Sequence, residues 1–126
     1  MKKDIVYVID ILKGTSYETT ISNYTDIYPL INSDIFDVVE RKLGSTYFTF
    51  YVDDIGLLRD NPIPSVFDIN LIPTLYGNVV ISKTNDAGET VSLSHSDINL
   101  IKSHLTLFVD MDEDIFFQSV LIGIEL

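Results

Sequence analysis

Residues 75–105 constrain the fold of this chain more than any other stretch. Tyr76–Ser82 is an apolar, β-branched run that reads as a strand, and Thr90–Leu93 reads as its returning partner across Asn85-Asp86-Ala87-Gly88. Ser94 then opens a helix. Ser94 and Asp97 stand at capping-box spacing, with Asp in place of the usual Glu or Gln. Ile98, Ile101, Leu105 and Phe108 recur at helical spacing and mark its inner face. Strand, tight turn, strand and capped helix in one run call for a sheet with helices laid on it.

The rest of the chain extends that reading. Asp4–Leu12 is apolar on both of its alternating faces, as a strand well inside a sheet must be. Lys13-Gly14-Thr15-Ser16 is a turn and Tyr17–Ile21 a returning strand, followed by a short irregular or helical piece ending near Pro29. Ser33–Gly44 reads as a helix. Ser33 and Asp34 suit its start, Arg41 and Lys42 its negative end, and Gly44 a left-handed stop. Ile35, Phe36, Val39 and Leu43 form its buried stripe. Thr46–Val52 is dense in aromatic and β-branched residues and reads as a strand, turned by Asp53-Asp54, with Ile55–Leu58 pairing back briefly. Arg59–Pro64 is a proline-marked loop, and Pro64–Pro73 fits neither the helical nor the strand period. The apolar tail Ile115–Leu126 is expected to close the fold as a last strand or helix. The expected architecture is a single α+β domain over residues 1–126. It has an antiparallel or mixed sheet of about five or six strands, with two main helices packed on one face.

Charge limits the function classes. The 126 residues carry 19 acids against 8 bases, a net of −11. Residues 46–126 hold twelve of those acids against only Arg59, Lys83 and Lys102. A field of that sign repels nucleic acid and favours a basic protein partner. With no Cys, disulfides and thiolate metal sites are excluded. Apolar runs are too short to span a bilayer, and the start lacks a signal-peptide pattern, so no membrane is expected and the location is read as cytoplasmic.

No residue set makes a recognisable catalytic or cofactor constellation. Ser94, His95 and Asp97 are neighbours in sequence, which triads rarely are, and there is no Gly-x-Ser-x-Gly elbow or Gly-rich phosphate loop. His95 and His104, nine apart, do not share a helix face at ligand spacing. The acids from Asp110 to Asp114 miss the calcium-loop pattern, since its Gly and Glu places hold Ile115 and Leu121. Tyr47, Phe48, Phe50 and Tyr51 could stack bases, but stacking platforms need a basic groove. No catalytic residue, cofactor or metal is therefore assigned.

Wording adds one resemblance. Gly77-Asn78-Val79-Val80-Ile81, Asp86-Ala87-Gly88-Glu89-Thr90, Ser92-Leu93 and Ser96-Asp97-Ile98, with Asn61-Pro62-Ile63 upstream, resemble a family of small uncharacterised proteins. These are encoded largely by phages, plasmids and conjugative elements of Gram-positive bacteria. The resemblance implies a context of accessory genes, many of which blunt host defences, and carries no chemistry. Together with the charge it gives the leading expectation: a non-enzymatic protein that inhibits a basic, nucleic-acid-handling host protein, such as a CRISPR effector or restriction enzyme. Asp53, Asp54, Asp60, Asp86, Glu89, Asp110, Asp112, Glu113 and Asp114 would stand in for phosphates. The alternative is a structural or regulatory homo-oligomer joined through Ile115–Leu126, its acids serving solubility. A small enzyme using acid-bound magnesium is the third reading.

Overall fold

A computed structural model describes residues 3–53, 62–110 and 116–125, giving the backbone alone for residues 107–110 and 116–119. The described residues form β1 (Asp4–Asp10), β2 (Thr15–Ile21), α1 (Ile27–Ile31), β3 (Phe36–Leu43), β4 (Thr46–Asp53), β5 (Pro64–Asp68) and β6 (Pro73–Tyr76). Then follow β7 (Val79–Thr84), β8 (Thr90–Val91), α2 (His95–Ser103), β9 (Leu105–Asp110) and β10 (Phe116–Glu125). The ten strands make one mixed sheet in the order β2-β1-β7-β4-β3-β10-β5-β6, with β8 on β7 and β9 on β10. All pairings are antiparallel except β10 with β5.

This corrects the expected α+β architecture of five or six strands under two main helices. The sheet is nearly twice as wide, and the helices are short and lie on opposite faces. Ile27 and Ile31 of α1 pack with Val6, Val8 and Val80, whereas Ile98 and Ile101 of α2 pack with Tyr7, Ile9 and Ile81. Alternation along β1 and β7 sends neighbouring side chains into different cores, which is why both strands are apolar on both sides.

The main reason for the error is β3. All eight of its residues pair with β4, from Phe36 opposite Asp53 to Leu43 opposite Thr46. The apolar spacing of Phe36, Val39 and Leu43 fits a helix and not strand alternation. As a strand it sends Phe36 to the α1 core and Val39 and Leu43 to the α2 core, and the ladder with β4 overrides the local pattern. Gly44 has φ +62°, and Ser45 does not share the positive φ. That is the pattern of a type II′ hairpin turn, so the apparent helix stop is a turn glycine. Ser33 caps no helix; its hydroxyl donates to the Ile35 carbonyl at 2.8 Å.

Other boundaries shift for similar reasons. The run from Tyr76 to Ser82 is divided between β6 and β7, and the break is held by buried Asn78. Its Oδ1 accepts the Leu12 N–H at 3.3 Å and its Nδ2 donates to the Leu30 carbonyl at 3.3 Å. Helix α2 begins with the expected capping box but ends at Ser103, so Leu105 and Phe108 belong to β9. The described part of the apolar tail, Phe116–Glu125, is a strand.

The sheet curls. Strands β4 and β6 lie four places apart in the order, about 19 Å if flat, yet their Cα atoms approach within 8 Å, as do those of β10 and β2. The concave side encloses the larger core, which joins Ile9, Phe48, Phe50 and Ile81 to Val66, Leu75, Leu121 and Ile124. Each fully buried aliphatic or aromatic side chain there contributes roughly 1.5–3 kcal/mol.

Strand β10 holds the two halves of the sheet together. One edge pairs with β9 over Phe116–Leu121 and then with β3 at Ile124 and Glu125, while the other edge pairs with β5. The β5 register shifts between Ile122 and Ile124, and Gly123 in that bulge has φ +106°. A Cβ on Gly123 would lie 2.9 Å from His104 Cδ2. The ring cannot easily yield, because His104 Nδ1 lies 3.0 Å from the Leu100 carbonyl.

Three predictions follow from these contacts. Truncation after Asp114 removes β10 and should abolish the cooperative thermal transition seen by circular dichroism. Gly123→Ala, forced into both a left-handed φ and a clash, should cost about 1–3 kcal/mol in urea unfolding. The third concerns Asp97. Burial pushes its carboxyl pKa up, but the Ser94 N–H and hydroxyl and the Lys83 ammonium outweigh that and hold it below the ordinary value. A depressed pKa stabilises the fold above the unfolded-state value of about 3.9, and the contribution disappears as pH falls through the folded-state value. Asp97→Asn should therefore cost about 1 kcal/mol at pH 7, with the gap to the parent protein closing as pH falls through the lowered folded-state value.

Candidate functional site

The expected acidic set does not converge among the described residues. Asp53 ends β4, half-buried, and its Oδ1 accepts the Ser33 hydroxyl at 3.0 Å. Asp86 and Glu89 are exposed in the β7–β8 turn. The Asn85 side chain organises that turn, its Oδ1 accepting the N–H groups of Ala87 at 3.0 Å and Glu89 at 2.9 Å. Val52 lies opposite Val79 at the start of β7, so Asp53 and Asp86 stand at opposite ends of that strand, about 20 Å apart at 3.3 Å per residue. Asp110 is the last residue of β9, opposite Phe116. Asp54, Asp60, Asp112, Glu113 and Asp114 lie outside the described residues, as does the expected pairing of Ile55–Leu58.

Lys83 Nζ lies 3.3 Å from Asp97 Oδ1, and Lys102 Nζ 3.7 Å from Glu18 Oε1. Both described cations of the acidic segment are thus already engaged by carboxylates other than those of the expected set.

Several concavities among the described residues carry polar groups, one of about 510 Å³ being lined by Tyr28, Pro29, Asn32, Ser33 and Asp34. A cleft of about 270 Å³ is lined by Asp4, Ser22, Asn23, Tyr24, Tyr51 and Thr90, with Ile21. The 3-10 turn Tyr24–Asp26 shapes its rim: Asn23 caps it, and Asp26 Oδ2 accepts the Ser22 N–H at 2.7 Å. The cleft can hydrogen-bond a small polar group. A more open groove of about 410 Å³ brings Arg41 and Lys42 beside Glu40, Glu125 and Tyr47. Lys42 Nζ is 3.5 Å from Glu125 Oε2 and Arg41 Nη1 donates to the Glu40 backbone carbonyl at 2.9 Å, so the lining carries two cations and two carboxylates with one ion pair between them. A balanced groove of this kind does not concentrate anions.

The residues weighed for catalysis have structural tasks. Ser94 Oγ accepts the Asp97 N–H at 3.1 Å, and Asp97 Oδ2 accepts the Ser94 N–H at 2.9 Å. His95 opens α2 and His104 follows its end. No group of three or more His, Cys, Asp or Glu able to hold a metal occurs among the described residues. Of the aromatic strand, Phe48 and Phe50 are buried, whereas Tyr47 is exposed. Tyr51 packs edge-on against Phe36, ring centroids 5.4 Å apart.

One feature escaped the sequence reading. Ile69, Leu71 and Ile72, in the turn joining β5 to β6, are exposed large aliphatics. The signal was the failure of Pro64–Pro73 to fit either period: β5 is a short strand whose register against β6 shifts twice, and the turn then adds side chains that face water.

No helix among the described residues is long and apolar enough to cross a membrane. Neither a curated protein nor a solved structure matches this chain. A family match covers residues 1–106, stopping before β10, the strand that joins β3 to β5. On that match the chain belongs to DUF3846, a family described as a domain of unknown function.

Proposed function

We propose that this protein is a non-enzymatic, acidic binding protein of a phage or other mobile element. It engages a basic, nucleic-acid-handling host protein, of the kind represented by CRISPR effectors and restriction enzymes, and blocks the surface that would otherwise receive phosphates. The observation that carries the reading is the charge: twelve acids against three bases in residues 46–126. Lys83 and Lys102 are already matched to Asp97 and Glu18, which leaves Asp86 and Glu89 exposed on a turn stiffened by Asn85. A rigid, exposed acidic turn draws cationic surfaces without a further ordering cost.

The positions of the acids shape the mimicry. Asp53 and the Asp86–Glu89 turn are too far apart to fill one phosphate position. A partner meeting both must offer basic groups over about 20 Å. The homo-oligomer reading has less support, because Val120, Leu121 and Ile124 of the tail are buried in the chain's own core.

A host-lysate pull-down at low salt, eluted with a salt gradient, tests the proposal. The captured protein should be basic and should leave the column as the ionic strength passes about 0.1–0.3 M, where the screening length falls below about 10 Å. Asp86→Lys with Glu89→Lys should slow association about tenfold or more. Retention that stays flat across the gradient would overturn the charge-driven reading.

A further inference from the structure

We propose that the turn Ile69–Ile72 is a preformed apolar anchor that seats in a hydrophobic pocket on the basic protein partner. The partner class rests on the reading above; the anchor itself rests on the turn. Ile69, Leu71 and Ile72 are 63%, 64% and 57% exposed. Exposed aliphatics are ordinary when scattered, but three within four residues form a patch.

The turn is rigid. Asp68, at the end of β5, is 8% exposed, and its Oδ1 accepts the N–H groups of Asn70 at 2.8 Å and Ile72 at 2.9 Å. The Asp68 N–H donates to the Ile72 carbonyl at 2.9 Å, and the Leu71 N–H donates to the Asp68 carbonyl at 3.1 Å. Four bonds thus fix a five-residue turn. Leu71 has φ +64°, a conformation in which Gly or Asn is the undemanding choice and a bulky side chain is not.

Two local rules are broken together: a leucine is held left-handed, and aliphatic surface is held in water. The four hydrogen bonds offset the left-handed backbone, but none of them calls for a leucine there or covers the three aliphatic side chains, and violations of this kind concentrate where a protein meets something else. A stiff turn also loses little freedom on docking.

Charge selects the occupant. From Pro62 to Asn78 the only charged residue is Asp68, and its carboxylate is turned into the backbone of its own turn. A lipid surface is disfavoured, since the net charge of −11 is repelled by anionic headgroups and this segment has no Trp, Lys or Arg to anchor it at an interface. A second copy carries the same −11. An apolar pocket on a basic protein complements both the turn and the net charge of the chain.

The experiment compares the parent chain, Leu71→Gly, the triple variant Ile69→Ser/Leu71→Gly/Ile72→Ser, and Asp86→Lys/Glu89→Lys. Leu71→Gly should raise Tm by a few degrees, which shows that the fold survives and that the leucine is not there for stability. Proteins captured from lysate are identified by mass spectrometry, purified and measured against each variant. The proposal expects a basic protein whose dissociation rate rises at least tenfold with the triple variant, while the salt dependence of association is unchanged. Asp86→Lys/Glu89→Lys should do the reverse, changing association and its salt slope. Capture that responds to the charge variant but not to the triple variant overturns the anchor and leaves the charge reading standing. Capture that responds to the triple variant but not to salt overturns the basic partner. The proposal also fails if no protein is captured, if the parent chain floats with phosphatidylcholine vesicles with or without phosphatidylglycerol, or if light scattering finds a dimer that the triple variant dissolves.

Discussion

Strand β10 is the element on which the rest of the architecture depends. One of its edges carries β9 and β3 in succession and the other carries β5, so three separate segments meet on one strand. Without it β5 and β6 have, among the described residues, no ladder to the remainder of the sheet, and the concave core loses Leu121 and Ile124 directly and Val66 and Leu75 indirectly. The bulge at Gly123 lets the strand satisfy both edges: it absorbs the register difference against β5 while Ile124 still meets Leu43. It is notable that the family match ends before this strand.

Curling the sheet around a core on one side leaves a convex side that must be covered separately. Helix α1 does this with only five residues, Ile27 and Ile31 reaching Val6, Val8 and Val80. Phe36 and Tyr51 extend the same cover through an edge-on contact, and Tyr28 joins them with its ring centroid 5.0 Å from that of Phe36. Helix α2 closes the concave side. The two helices thus serve different cores, and neither forms a layer of its own.

The charge and the apolar turn would contribute different physical terms to one encounter. Long-range attraction acts before contact and is screened by salt, so it governs how fast partners meet. Burial of Ile69, Leu71 and Ile72 would act only after contact and hardly depends on salt, so it would govern how long they stay. The balanced groove around Arg41 and Lys42 and the small cleft beside Tyr24 supply neither term at comparable strength.

Much of the local structure was legible in the residues themselves. Both-faced apolarity marked β1 as internal, β-branched and aromatic density marked β4, and the Ser94–Asp97 capping box marked the start of α2. Those signals act over a few residues and need no partner. The charge imbalance is likewise a property of composition. Segment 33–44 was not legible, because its apolar spacing is helical, strand packing splits that stripe between two cores, and Gly44 can end a helix or turn a hairpin; the β4 ladder decided it. The separation of Asp53 from Asp86, the second core, and the exposure of Ile69, Leu71 and Ile72 depend on which strands pair and how far the sheet bends. Such contacts join residues far apart in the chain, and no local pattern encodes them.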